Sequence, residues 1–174
     1  EDYRLTHMAR DNQGGGAILA LSHEIDYAVW LFGFPKSVYA IGNHYTDLEI
    51  DVEDSADIML KVPSPIGDVS IRCHVDFIQS PPERFCHIIF EYGTVKWDYF
   101  ENIVHVFNSK NKIKESFKFS EFKRNDMFND ELKHFISCLE VGGKPMVSIL
   151  NGVDLLKVCV AAKDSIKTGK VVVI

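Results

Sequence analysis

The feature that most constrains the fold is a change in the spacing of apolar residues along the chain. In the middle of the sequence apolar and polar residues alternate, first over residues 56–62 and again over residues 69–77. A period of two is typical of β-strands that bury one face. The segment PSPIG at residues 63–67 is rich in turn formers, so we expect these two strands to form an antiparallel hairpin.

The same kind of pattern predicts further strands on both sides of this hairpin. Turn-forming residues separate most of them, so we expect short connections and antiparallel pairing. The additional strands are predicted at residues 38–44, 85–92, 94–99, 103–107 and 113–119, with a short edge strand at residues 170–174.

Helical spacing flanks this block of strands. Residues 17–32 contain no helix breaker, lie between Gly16 and Gly33, and are nearly all apolar, so we expect one helix that is buried over most of its circumference. After residue 124 the apolar residues return to helical spacing and predict two amphipathic helices before Gly169. The order helix, strands, two helices predicts an α+β fold with its helices on one face of an antiparallel sheet.

Composition matters mainly for the classes of protein that it excludes. A chain of 174 residues with 46% hydrophobic and 25% charged residues fits one folded domain, which we place at residues 1–174. The formal net charge of −6 disfavours binding to a nucleic-acid backbone. The longest apolar stretch, Tyr27 to Phe32, is far shorter than the roughly 18 residues of a membrane helix.

Cysteine and histidine residues are too scattered to predict a metal site. The seven histidines show no metal-ligand spacing, and no pair of cysteines has the CxxC spacing. We therefore expect no metal, and reduced thiols in a cytoplasmic protein. The four cysteines are Cys73, Cys86, Cys138 and Cys159.

The triple glycine at residues 14–16 opens the first predicted helix. Glycines at a helix start allow a ligand to approach free N–H groups, but they equally allow close packing against another part of the chain. Neither a strand before them nor a βαβ unit after them is predicted, so the motif differs from the dinucleotide-binding GxGxxG fingerprint. Both interpretations remain open at this point.

A polar stripe crosses the same helix. His23, Asp26, Tyr27 and Trp30 follow at i, i+3, i+4 and i+7, which places them along one face. A buried imidazole and carboxylate are costly unless they are paired or face a cavity. The stripe therefore indicates either a structural His–Asp pair or a histidine that exchanges a proton with a substrate oxygen.

Residues 14–33 closely resemble the signature that opens the C-terminal domain of the Gfo/Idh/MocA oxidoreductases, which are NAD(P)-dependent sugar and polyol dehydrogenases. The branch that they resemble is the one linked to surface-sugar biosynthesis. Shorter matches occur at residues 49–54, 74–77 with Gln79 and Pro81, 91–94, 124–127, 161–163 and 168–170.

This resemblance implies a substrate-binding and oligomerisation domain built on a large, open, mainly antiparallel sheet. It implies hydride transfer between a nicotinamide cofactor and a sugar or nucleotide-sugar. The cofactor, NAD or NADP, would be bound mainly by an N-terminal Rossmann domain that this chain does not contain, so the isolated domain is predicted to be inactive. A homodimer or homotetramer through the open face of the sheet is expected.

The resemblance also assigns site residues. His23 falls on the catalytic histidine, but Ala20 stands where the family usually has an acidic residue that would orient the imidazole. Asp26 is the alternative residue for this role. A catalytically weak sugar-binding or assembly module is therefore the alternative. The candidates for substrate binding are Arg10, Asn12, Asp26, His74 and Asp76.

Overall fold

The computed structural model describes residues 2–174, which form four α-helices and eight strands. The helices are α1 (Ala17–Ala20), α2 (His23–Phe32), α3 (Arg124–Val141) and α4 (Ile149–Thr168). The strands are β1 (Ser37–Asn43), β2 (Ser55–Val62), β3 (Val69–Asp76), β4 (Phe85–Phe90), β5 (Gly93–Asp98), β6 (Ile103–Asn108), β7 (Ile113–Lys118) and β8 (Val172–Val173).

The strands hydrogen-bond into two antiparallel four-stranded sheets. The first has the order β3-β2-β1-β8 and the second the order β4-β5-β6-β7. The predicted hairpin is present, since β2 pairs with β3 from Ser55 opposite Asp76 to Val62 opposite Val69. The short C-terminal strand β8 lies at a sheet edge beside β1, as expected. The α+β class with mainly antiparallel strands is confirmed, and its strands are shared between two sheets.

The chain divides into two compact units. The first unit contains residues up to Ile78 together with Val147–Ile174, and therefore the first sheet with α1, α2 and α4. The second unit is Gln79–Met146 and contains the second sheet with α3.

The first unit has a well-defined core, formed where helices cover one face of its sheet. Alternate residues of β2 and β3 point towards these helices, which confirms the meaning of the period-two pattern. Full burial of one large aliphatic side chain contributes about 1.5–3 kcal/mol, so this face provides most of the stability of the unit. Its fully buried members include Ile18, Ile25, Ile58, Leu60, Val62, Val158 and Cys159.

The first predicted helix differs from expectation in two respects. It is interrupted at Leu21 and Ser22, where the N–H of Glu24 donates to the carbonyl of Leu21 in a tighter turn (3.1 Å), and α2 then begins at His23. It is also buried on one side only, because it lies on one face of a sheet. Ile25 is fully buried, whereas the side of α2 that carries Trp30, 76% exposed, faces away from the core.

Two further features bear on function. Among residues 2–174, no helix combines the length and the apolar character needed to cross a membrane. None of the four cysteines forms a disulfide: Cys73 and Cys159 are buried in the first unit, and Cys86 and Cys138 are partly exposed in the second.

Candidate functional site

The glycine motif is packed against the chain itself. The N–H groups of Gly15 and Gly16 donate to the carbonyls of Arg10 (2.9 Å) and Met8 (3.0 Å). Gly16 has a φ of +107°, and a Cβ atom at this position would overlap the carboxylate of Glu53. The space in which a phosphate would bind to such a motif is therefore occupied by a side chain of the protein. The close-packing interpretation is the one that the geometry supports.

Glu53 connects this turn to the start of α1. Its main-chain carbonyl accepts from the N–H of Ala17 (3.0 Å), and its carboxylate accepts from the N–H of Ile18 (3.2 Å). Lys163 of α4 completes the cluster, because its ammonium group lies 3.8 Å from the Glu53 carboxylate and donates to the carbonyl of Gly15 (3.4 Å). Sequence reasoning did not select Glu53 or Lys163 as site residues, although both lie in segments that resemble the family.

His23 occupies the first position of α2, directly after the break in the helix. Its side chain is 48% exposed, and its Nε2 atom lies 3.1 Å from a carboxylate oxygen of Glu24, whose own side chain is only 15% exposed. The ring is therefore open to a ligand on one side and is held by a carboxylate on the other. Such an arrangement suits a group that exchanges a proton with a bound molecule.

Asp26, the residue expected to orient His23, lies elsewhere on α2. Among the described residues no ion pair joins Asp26 to the His23 ring, and the Asp26 side chain is exposed.

Burial raises the pKa of the Cys159 thiol to about 11, with the nearby charge of Asp26 as a second cause. Cys159 is thus a protonated, unreactive core residue.

Arg10 and Asn12 lie in the turns that precede the glycine motif. Arg10 is 3.8 Å from the carboxylate of Asp51, and that carboxylate accepts from the N–H of Asp11 (2.6 Å). Asn12 is exposed in a short 3-10 turn at residues 11–13. Both side chains reach the surface, and Arg10 forms an ion pair with Asp51 there.

His74 and Asp76 lie on the opposite side of the first sheet from α2. Cys73 and Val75 point towards the helices, so their neighbours His74 and Asp76 belong to the outer face. The His74 ring is bonded at both nitrogens, to Asp57 (3.2 Å) and to Asp76 (3.1 Å). The structure therefore separates this pair from His23 and does not bring the six predicted residues into one pocket.

A groove of about 400 Å³ runs beside the glycine turn in the first unit. Asp11, Glu53 and Lys163 line it together with His44, whose Nε2 atom lies 3.9 Å from the buried carboxylate of Asp54. Burial alone would raise the pKa of Asp54. Hydrogen bonds from the hydroxyl and N–H of Thr46 and from the N–H of Tyr45 outweigh burial, and with His44 they hold this pKa below its ordinary value.

The described residues contain neither a parallel βαβ unit nor a cluster of metal-ligating side chains. All strand pairs in residues 2–174 are antiparallel, so the parallel βαβ unit that binds dinucleotides is missing from this part of the protein. No group of three or more His, Cys, Asp or Glu side chains among these residues is arranged to hold a metal ion.

Comparison with known proteins identifies the family. A family model described as the GFO/IDH/MocA C-terminal domain matches residues 2–96, which is more than half of the chain. The chain belongs to this family. The recognition made from the glycine–histidine motif is thereby confirmed, and the family match includes His23 and the whole first sheet apart from β8. No curated protein matches the sequence.

Solved structures confirm the fold. An oxidoreductase from Agrobacterium radiobacter in complex with NAD+, L-tartaric acid and magnesium is 18% identical over 99% of this chain and 53% of its own, with a TM-score of 0.78. The WlbA dehydrogenase from Bordetella pertussis, in complex with NADH and UDP-GlcNAcA, is 25% identical over 95% of this chain and 48% of its own, with a TM-score of 0.72. The chain spans about half the length of these structures.

A third similar structure is the UDP-N-acetylglucosamine 3-dehydrogenase GnnA from Acidithiobacillus ferrooxidans. It is 16% identical over 97% of this chain and 50% of its own, with a TM-score of 0.75. Nucleotide-sugar dehydrogenases are therefore among the proteins that share this fold.

Proposed function

We propose that this chain is the substrate-binding C-terminal domain, over residues 1–174, of an NAD(P)-dependent oxidoreductase that acts on a sugar or nucleotide-sugar. Family membership supports the oxidoreductase class. The WlbA and GnnA structures support a nucleotide-sugar as the substrate class. The observation that carries the proposal is the half-exposed His23 ring at the start of α2, held by a carboxylate.

In this proposal His23 is the catalytic residue that holds or moves a proton at a sugar oxygen. Asp26, on the same helix, and Arg10 with Asn12 are the proposed substrate-binding residues. His74 and Asp76 remain candidates for a polar contact, but their place on the outer sheet face favours contact with another subunit over contact with the substrate of His23.

The nicotinamide cofactor belongs to a part of the enzyme other than these residues. NAD or NADP would supply the hydride chemistry, and the antiparallel sheets described above offer no dinucleotide site. We therefore propose that a protein limited to residues 1–174 binds no nicotinamide cofactor and does not turn over. Calorimetric titration with NAD and NADP tests this, and micromolar binding would contradict it.

The proposed oxidoreductase activity is tested by measuring nicotinamide reduction with the intact protein that contains this chain. A panel of sugars and nucleotide-sugars is assayed with NAD and with NADP. We expect His23→Asn to lower turnover roughly 10²- to 10⁴-fold, the usual contribution of a positioned acid or base. Its melting temperature should stay near that of the wild type, because the His23 side chain is half exposed.

The control is Glu140→Gln, an exposed residue near the end of α3 in the second unit. Unchanged turnover in a folded His23→Asn enzyme would remove His23 from the mechanism. A melting temperature that falls together with activity would instead indicate a structural histidine.

A catalytically weak sugar-binding or assembly module is the second candidate function. The observation that favours it is Ala20, which places a methyl group where the family usually has a carboxylate. Binding of a nucleotide-sugar by the intact protein without measurable nicotinamide reduction would support this alternative.

We also propose that the protein is a cytoplasmic homodimer or homotetramer that associates through open sheet faces. The exposed face of the second sheet combines Phe85, Ile89 and Phe107 with Lys96, a mixture typical of subunit interfaces. The four cysteines form no disulfide, which supports a reducing compartment. Light scattering at tens of micromolar tests the assembly.

A further inference from the structure

We propose that Glu24 is the positioning residue for His23. Its carboxylate holds the imidazole through Nε2, which leaves Nδ1 as the nitrogen that exchanges a proton with the substrate. This inference rests on the proposed function of His23. It supplies the orienting carboxylate that sequence reasoning sought at position 20 or 26.

The His23 and Glu24 side chains are close together, and Glu24 is much less exposed than His23. The Nε2 atom of His23 and the Oε1 atom of Glu24 are 3.1 Å apart, within hydrogen-bonding distance. Glu24 is 15% exposed and His23 is 48% exposed, so the carboxylate lies largely inside the protein while the ring reaches the surface. A partner that is more buried than the group it contacts is suited to fix the orientation of that group.

The backbone around Glu24 is fixed from two sides. Ile25, the next residue, is fully buried in the core of the first unit. The carbonyl of Glu24 accepts from the thiol of Cys73 on β3 (3.8 Å). The break in the helix at Leu21 and Ser22 sets the start of α2 at His23, so the two side chains extend from a single anchored turn.

This contact has a chemical consequence for the neutral ring. A carboxylate accepts a hydrogen bond and cannot donate one, so the neutral imidazole must carry its proton on Nε2. The lone pair of Nδ1 is then free to accept a proton from a sugar hydroxyl.

A structural interpretation of the same contact exists. Glu24 lies in the first turn of α2, where a negative charge stabilises the helix through its dipole. This role requires the charge but not the contact with His23. The two interpretations therefore differ in what happens to the ring when Glu24 is replaced.

The test uses the intact gene product with ¹⁵N-labelled histidine, and compares the wild type with Glu24→Gln and Glu24→Ala. His23→Asn assigns the ring signals, and Glu140→Gln, an exposed glutamate near the end of α3, is the matched control. Ring ¹⁵N spectra without substrate or cofactor report which nitrogen is protonated. Steady-state kinetics and thermal melts are recorded for the same variants.

We expect the Nε2-protonated form to dominate in the wild type and in the control, and both tautomers to be populated in the two Glu24 variants. We also expect kcat to fall about 10- to 100-fold in these variants, as for other residues that orient a functional histidine, with KM nearly unchanged. In Glu24→Gln the side-chain oxygen of glutamine can still accept a hydrogen bond from His23. Glu24→Ala removes this acceptor and is therefore the stricter test.

Unchanged tautomers in the folded Glu24 variants would overturn the proposal, whatever the kinetics show. A changed tautomer with unchanged kcat would also overturn it, because the contact would then be structural. Failure of the proposed function gives a different result: full activity in His23→Asn, or no nicotinamide reduction by any variant. The tautomer measurement needs no substrate, so it decides the orienting role of Glu24 even then.

Discussion

The two sheets of this chain bury very different proportions of their side chains. In the first sheet one face is covered by helices, and Ile58 and Leu60 are almost inaccessible to solvent. In the second sheet and the rest of residues 79–146, all of which the structure describes, no residue is buried. Ile89, on β4, is 76% exposed.

The difference shows that the same alternating pattern can serve two purposes. In β2 the apolar positions form a core, and the polar positions Asp57 and Lys61 face outwards. In β4 and β6 large apolar side chains such as Phe85 and Phe107 stay at the surface, where a second copy of the protein would cover them. The buried face of the first sheet stabilises the fold, and the exposed face of the second is the one through which association is proposed above.

The largest expected effect is on the core of the first sheet. Ile58→Ala should lower the free energy of unfolding by about 2–5 kcal/mol, because it leaves a cavity at a fully buried position. Ile89→Ala makes the same chemical change at an exposed position and should lower it by less than about 0.5 kcal/mol in the monomer. Urea unfolding of both variants at low protein concentration measures the difference. Equal losses would contradict the contrast between the sheets.

A second prediction concerns the glycine turn beside the first sheet. Gly16→Ala should destabilise the protein by about 1–3 kcal/mol or more, because it combines a strained backbone with overlap against Glu53. Gly67 is the matched control: its φ is +118°, but a Cβ atom there meets open space. The extra loss of unfolding free energy in Gly16→Ala, relative to Gly67→Ala, measures the cost of the overlap between the new Cβ atom and Glu53. A loss no larger than that of Gly67→Ala would argue against the packing of Glu53 described above.

A third prediction uses the low pKa of Asp54, which is fully buried in the first unit. Because the pKa is lower in the folded state than the roughly 3.9 of an unfolded aspartate, the carboxylate stabilises the fold above that pH. This stabilisation is lost as the pH falls through the folded-state pKa. Asp54→Asn should lower the free energy of unfolding by about 1–3 kcal/mol at pH 7, and this loss should shrink as the pH falls below about 3.9. Urea unfolding from pH 7 down to the lowest pH at which the wild type stays folded measures the loss, and a loss that does not change with pH would contradict the ionised hydrogen-bond network.

The smallest effect on folding is expected at the surface of the second sheet. Ile89→Lys should change the free energy of unfolding of the monomer by less than about 0.5 kcal/mol, because the position is exposed. It should nevertheless shift the mass measured by light scattering towards the monomer. Ile66→Lys, at a 96% exposed position in the first unit, is the control. A strictly monomeric wild-type protein would refute the association proposal.

The sequence predicted β2 and β3 well because the alternation in these two strands reflects the burial of one face. Residues 56–62 and 69–77 were expected as a hairpin, and β2 and β3 pair over nearly these bounds. It did not predict the break at Leu21 and Ser22, because both residues tolerate helix and the local hydrogen bonds decide the turn. The stripe that carries His23, Asp26 and Trp30 is the exposed side of α2, although the helix was expected to be buried over most of its circumference.

The sequence identified single residues of the candidate site, but it did not identify which side chains contact each other. His23 was found through its motif, whereas its carboxylate partner was expected at position 26 and lies at Glu24. Adjacent residues of an ideal helix do not face each other, so helical spacing gave no reason to expect a contact between His23 and Glu24. Glu53 was missed as a partner of the glycine turn because the two are far apart in sequence.

The distribution of cysteines has a practical consequence for distinguishing the two units chemically. Cys73 and Cys159 are shielded, and Cys159 has a pKa of about 11, so a mild alkylating reagent at neutral pH should leave both unmodified. Cys86 and Cys138 are accessible and are the first to be alkylated. A fluorescent maleimide would therefore label only the second unit of the native protein, and the slow appearance of a third and fourth label would report opening of the first.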